Sequence, residues 1–249
     1  MYDIKLVNAR VLDGAGAPWF RADVAVKDGF IAKVGRVDEE ARKTIDASGK
    51  YVCPGFIDAH SHSDLALVVN PTADSKIMQG VTLEVIGQCG SSGAPRNLGL
   101  RDEMDETSRE AGENVPPWTD MASYLDVLES QGTSLNVAAL VGHGSVRRQV
   151  MGTEWRAPTP TELETMKRLV AQAMEQGAFG MSSGLIYVPG TFSKTDEVIE
   201  LANVTAEYGG IYFTHIRNES SKLLEALKEA IQIGFAADIP VQISHFKVM

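Results

Sequence analysis

A chain of 249 residues can hold one large core or a large domain beside a small one, and its 44% apolar and 22% charged composition is that of an ordinary soluble fold. Its formal net charge of −10 speaks against a nucleic-acid or anionic-membrane partner, since either calls for a basic patch. Two cysteines exclude a disulfide framework, and neither a signal peptide nor an apolar run of the ~20 residues that span a bilayer is present, so the reading is cytoplasmic.

Residues 1–52 read as short strands separated by turns. Ile4-Lys5-Leu6-Val7, Asp23-Val24-Ala25-Val26 and Ile31-Ala32-Lys33-Val34-Gly35 are the strand candidates. Turn signals fall at Asp13-Gly14-Ala15-Gly16 and Asp28-Gly29. Alternation of this kind predicts a small β-domain built on a half-exposed antiparallel sheet.

From 53 to 249 the rhythm changes to strand followed by helix. The strand candidates are Phe56–His60, Thr82–Ile86, Leu135–Val141, a weaker Ala178–Met181, Gly210–Thr214 and Val241–Ser244. The clearest helix starts near Thr159, where Thr-Pro-Thr-Glu supplies a cap, a helix-starting proline and an acidic first turn, and it runs to Gly177. Others are predicted over about 196–208 and 220–233. Repeated β-then-α units imply an α/β fold with parallel strands. The intervals from His60 to Cys89 and from His215 to His245 match the ~30 residues of one unit in a TIM-type (β/α)8 barrel. About six of eight units are then present, and the remaining two are expected beyond Met249. The polar, glycine-rich stretch from Gly90 to about Asp120 reads as a loop on the ligand-facing side.

All five histidines, His60, His62, His143, His215 and His245, fall at or just past the C-terminal end of a predicted strand, where barrel enzymes gather their catalytic groups. In an extended His60-Ser61-His62 both imidazoles point to one side and can reach one ion. Cys89 ends the second strand in Gly87-Gln88-Cys89-Gly90, whose glycines allow a sharp turn beside a ligand. Imidazoles and a thiolate together suit Zn²⁺. Cys53, before Pro54, reads as core. His143 shows no partner that would make it a ligand, which leaves hydrogen bonding behind the ligands or substrate contact.

The segment Pro54-Gly55-Phe56-Ile57-Asp58-Ala59-His60-Ser61-His62-Ser63-Asp64, followed by strand-end histidines at 215 and 245, resembles the amidohydrolase superfamily. Gly87-Gln88-Cys89-Gly90, Ser183-Gly184-Leu185-Ile186-Tyr187-Val188-Pro189-Gly190 and Ile243-Ser244-His245-Phe246-Lys247 are similar to the D-aminoacylase, or N-acyl-D-amino-acid deacylase, family within it. Relatives that bridge two metals with a carbamylated lysine carry it on the fourth strand, and no lysine lies between Gln176 and Phe192 here. The resemblance implies a metal-dependent-hydrolase barrel over 53–249, with 1–52 as the N-terminal part of a small β-sandwich domain. It implies one tightly bound Zn²⁺ on Cys89, His215 and His245 and a weaker second position at His60 and His62. Asp64 and His143 are expected to support the ligands. The catalytic aspartate of the eighth strand is expected beyond Met249.

The activity implied is hydrolysis of the amide of a small-molecule N-acyl-D-amino acid to a carboxylate and a free D-amino acid. Lys247, Tyr187 and Arg217 are candidate substrate contacts, although a structural ion pair is an equal reading of Arg217. Hydrolysis of a cyclic amide, as in dihydroorotases and hydantoinases, is the alternative, and an inactive scaffold homologue is another.

Overall fold

The computed structural model describes residues 1–96 and 116–249, so most of the predicted loop lies outside the described residues. The chain forms two compact units, Met1–Phe56 and Ile57–Met249.

The first unit is one mixed sheet of five strands: β1 (Tyr2–Val11), β2 (Phe20–Lys27), β3 (Phe30–Gly35), β4 (Ala41–Asp46) and β5 (Tyr51–Val52). β1 and β2, and β2 and β3, pair antiparallel as the alternation predicts. β4 and β5 correct that expectation, because both lie parallel to β1. After β3 the chain crosses the sheet before re-entering, so it returns in the direction of β1 instead of turning back as a hairpin. A bulge between Leu6 and Ala9, with Asn8 at φ 63°, resets the alternation of β1. Ala9 and Val11 thereby join Val24 and Ala47 in a small core. Cys53 is exposed, not buried: it follows a two-residue strand, where no neighbour covers it.

The second unit carries six parallel strands: β6 (Phe56–Asp58), β7 (Val81–Ile86), β8 (Asn136–Gly142), β9 (Gly180–Gly184), β10 (Ile211–His215) and β11 (Val241–Ile243). Their order in the sheet is their order in the chain. That settles what spacing left loose. An open doubly wound sheet reverses its order at a switch point, whereas a barrel winds in one direction. The sheet is the strand wall of a partial TIM-type barrel. The weak fourth strand sits two residues later than predicted, because Ser182 and Ser183 look polar but are fully buried with their hydroxyls hydrogen-bonded.

The described helices are α1 (Ala66–Val69), α2 (Asp74–Ile77), α3 (Met121–Gln131), α4 (His143–Met151), α5 (Pro160–Glu175), α6 (Thr195–Glu207) and α7 (Leu223–Ala237). α5 begins as read: Thr159 and Glu162 close a capping box and Pro160 opens the first turn. Met166, Val170, Ala173 and Met174 bury one stripe of it. The strands are buried on both faces. Ile86, Val141 and Tyr212 join the core that also holds Met166, Val170, Val198 and Leu201 of the helices. Their immediate neighbours Val85, Leu140 and Phe213 form a separate cluster, as the two-residue period of a strand requires. Among the described residues no helix is long and apolar enough to cross a membrane.

Candidate active site

Cys89 sits at the centre of the strand-end cluster. Its Sγ lies 3.5 Å from His60 Nε2, 3.5 Å from His215 Nδ1 and 3.8 Å from His245 Nε2. Bonds of about 2.0–2.3 Å to a tetrahedral zinc hold ligand atoms roughly 3.3–3.6 Å apart, so these separations are close to the edges of a coordination tetrahedron. His60 Nε2 and His245 Nε2, at 2.9 Å, stand closer, as a hydrogen-bonded pair does.

The chain reaches this geometry through an unusual backbone. Cys89 and His245 adopt φ of 55° and 48°, a left-handed region that non-glycine residues rarely enter. Gly90, at φ 78°, completes the turn, and a Cβ on Gly184 would collide with the Cys89 carbonyl oxygen. Two buried side chains hold the turn. The Ser182 hydroxyl donates to the Gly87 carbonyl and accepts from the Gly90 N–H. The Asp64 carboxylate accepts from the N–H groups of Gly87 (3.1 Å) and Gly93 (2.9 Å). Burial raises the pKa of Asp64 to about 6 against the pull of those two donors.

A residue the sequence reading passed over completes the arrangement. Glu219, 2% exposed, brings Oε1 to 3.3 Å from His215 Nε2 and 3.6 Å from His245 Nδ1. Each ring thus turns one nitrogen toward Cys89 and the other toward Glu219. None of these three outer atoms completes a hydrogen bond. The signal available in the sequence was a glutamate four residues past His215 in a strand-end loop, which is too common to single out.

The electrostatics favour neutral rings. Burial and then the neighbouring histidines His245, His62 and His215 bring the pKa of His60 down to about 4. Burial also lowers His62, with His245 adding to it, and lowers His215 against the opposing pull of Glu219. A neutral imidazole offers a lone pair, which is the state that ligates. Burial, with the Glu219 charge adding to it, pushes the Cys89 thiol up to about 12. The donor set fits a divalent metal: neutral imidazoles, a thiol that only a nearby cation would ionise at neutral pH, and a carboxylate behind two of the rings.

The remaining candidates divide. His62 lines the cavity beside the cluster, with its ring centroid 5.3 Å from that of His60. It stays outside the two groups of ligating atoms that lie within 4.8 Å of one another, His60-Cys89-His245 and His215-Glu219-His245. The strand ends at Asp58, so the extended geometry expected for His60-Ser61-His62 is not reached. Tyr187 lines the same cavity and packs edge-on against His215 at 4.8 Å. Lys247 is half exposed, with Nζ 3.4 Å from Glu219 Oε2. Arg217 is held elsewhere: its guanidinium donates to both oxygens of Glu229 at 2.9 and 2.8 Å and to the Thr191 carbonyl. His143 also stands apart. It opens α4, and its Nε2 lies 2.9 Å from Glu197 of α6, where Arg147 pairs as well.

A partial barrel with histidines and a cysteine converging at the C-terminal ends of its strands is the architecture of metal-dependent barrel hydrolases. Residues 43–239 match the amidohydrolase family, and the chain belongs to it. It is 39% identical to a D-aminoacylase of Alcaligenes xylosoxydans xylosoxydans, over 100% of this chain and 51% of the relative. A D-aminoacylase structure described for its binuclear metal centre superposes with a TM-score of 0.92 at 37% identity, covering 100% of this chain and 52% of that one. An N-acyl-D-glutamate deacylase from Bordetella bronchiseptica, complexed with zinc and a phosphonate mimic of the tetrahedral intermediate, gives 0.89 at 39% identity, covering 96% and 50%. The chain thus spans about half the length of the relatives it matches.

Proposed function

We propose that this protein is a zinc-dependent deacylase of N-acyl-D-amino acids. The observation that carries the reading is the Cys89 thiol at 3.5–3.8 Å from nitrogens of three histidines on three other strand ends. The similarity to a D-aminoacylase and to a zinc-bound N-acyl-D-glutamate deacylase supports the substrate class.

Cys89, His215 and His245 would hold the tighter zinc, and His60 with His62 a second, weaker one. When bound, the metal supplies an acidified water and a polarised amide carbonyl. Overall, the water oxygen bonds to the acyl carbon, the C–N bond breaks, and the proton that the water gives up ends on the nitrogen, which leaves as an amine. Glu219 keeps the rings of His215 and His245 oriented, each with its inner nitrogen free for a ligand. Asp64 and Ser182 keep the Cys89 turn from relaxing. Tyr187, beside His215 in the cavity, donates its hydroxyl hydrogen to the substrate. Lys247 turns from Glu219 to the α-carboxylate of the substrate as a point charge. A reducing, cytoplasmic setting suits a site built on a free thiol, and the substrate is a small molecule.

Assay of the full-length, zinc-loaded protein tests this. Hydrolysis of N-acetyl-D-amino acids is expected, with none of hydantoin or dihydroorotate. Turnover of the cyclic compounds alone would overturn it.

A further inference from the structure

α4 carries two consecutive arginines with opposite fates. Arg147 is fully buried and donates to both Glu197 oxygens at 2.8 and 2.6 Å, and to the carbonyl of Arg156 at 2.6 Å. Its charge is matched. Arg148 is rotated by about 100° around the helix. Among the described residues it forms no ion pair, and it lines the cavity of about 580 Å³ that also exposes His62, Cys89 and His245. Gln149 and Ser145 of the same helix stand on that wall. The described wall holds no aspartate or glutamate, although the chain has 33 acidic residues. A partly buried guanidinium facing a cavity whose described wall carries no carboxylate suits a planar anion, which its fork binds through two parallel hydrogen bonds.

The cavity is within the usual size range of small-molecule sites, roughly 300–1,000 Å³, so it accepts more than a reacting amide and one carboxylate. The buried Arg147–Glu197–His143 group fixes the helix that presents Arg148, which lowers the ordering cost of binding.

We propose that Arg148 binds a second carboxylate of the substrate, so that this site selects N-acyl-D-amino acids with an anionic group beyond the α-carboxylate. This rests on the deacylase reading above. The second carboxylate can belong to the amino-acid side chain or to the acyl group, and the two are separable by substrate.

The test compares the full-length, zinc-loaded protein with its Arg148→Gln variant on N-acetyl-D-glutamate, N-succinyl-D-leucine and N-acetyl-D-leucine. The kcat/KM ratio of a dianionic substrate over N-acetyl-D-leucine is expected to fall about 10- to 100-fold, mostly through KM. Arg148→Lys should recover part of it. A fall confined to N-acetyl-D-glutamate places the carboxylate on the side chain, and one confined to N-succinyl-D-leucine places it on the acyl group. Unchanged ratios for both overturn the proposal, including the case where all three substrates weaken together and Arg148 holds the α-carboxylate. Calorimetric titration of glutarate is a readout independent of turnover, and the variant should bind it about 10-fold more weakly or worse. If no N-acyl-D-amino acid is hydrolysed, the deacylase reading fails, while the glutarate titration still decides the role of Arg148.

Discussion

Two buried polar clusters lie in the same unit, and they are built from similar residues to different ends. Around Glu197, the carboxylate receives Arg147 and His143 at 2.6–2.9 Å, so the charges close on one another. Around Cys89, the thiol faces three ring nitrogens, while His215 Nε2, His245 Nδ1 and Glu219 Oε1 complete no hydrogen bond. A buried cluster whose charges pair with one another holds a fold together. One that turns a thiol and three ring nitrogens toward a single point is shaped for something that is not protein.

Breaking the closed cluster should show its structural role first. Arg147→Met leaves the Glu197 charge buried with only His143 beside it, which costs about 3–5 kcal/mol in urea unfolding. Replacing both Arg147 and Glu197 with methionine should restore most of that loss. A single variant as stable as the wild type would remove the contrast.

The open cluster should respond in metal affinity. A four-ligand zinc site is worth about 10–16 kcal/mol, so Cys89→Ala should forfeit about 3–4 kcal/mol, or some 10²–10³-fold, in a competitive chelator titration. Unchanged zinc binding would exclude Cys89 as a ligand. Glu219→Gln tests the support behind the rings, and a smaller loss of about 10- to 100-fold is expected by the same titration.

The smallest effect is in pH. Burial alone would raise the Glu197 pKa, but the His143 hydrogen bond and the Arg147 charge outweigh it and leave it below the ordinary 4.5. A carboxylate with a depressed native pKa contributes stability above its unfolded pKa and loses it as pH falls through the native one. The stability difference between wild type and Glu197→Gln should therefore be constant above about pH 5.5 and shrink below about 4.5, followed by thermal unfolding. A difference independent of pH would mean that Glu197 is not ionised in the folded protein.

Much of the fold was legible because it depends on local periods. Alternating and helical apolar patterns marked all six parallel strands and the helices α5, α6 and α7. α5 was the clearest, because its cap, proline and acidic turn lie within four residues. α4 was not legible: Gly144 and Ser145 are weak helix formers, and the burial of Arg147 hides the apolar stripe. The parallel β4 was missed because its register with β1 depends on a crossover with no local pattern. Among the candidate site residues, His60, Cys89, His215 and His245 could be named from strand-end placement. Arg217 could not be separated from an ion pair until Glu229, twelve residues on, was seen beside it.

By itself, the sequence determined which side chains end the strands, since a period-two apolar run stops at a definite residue. Tertiary structure alone decided which of them meet. Cys89 and His215 are 126 residues apart and belong to strands separated by two others in the sheet, so they come within 3.5 Å only because the sheet curls as a barrel wall does. The same packing turned Arg147 toward Glu197 and left Arg148 to the cavity. One residue step along a helix is one step in sequence but about 100° in space, and only the neighbours say which direction is solvent, partner or site.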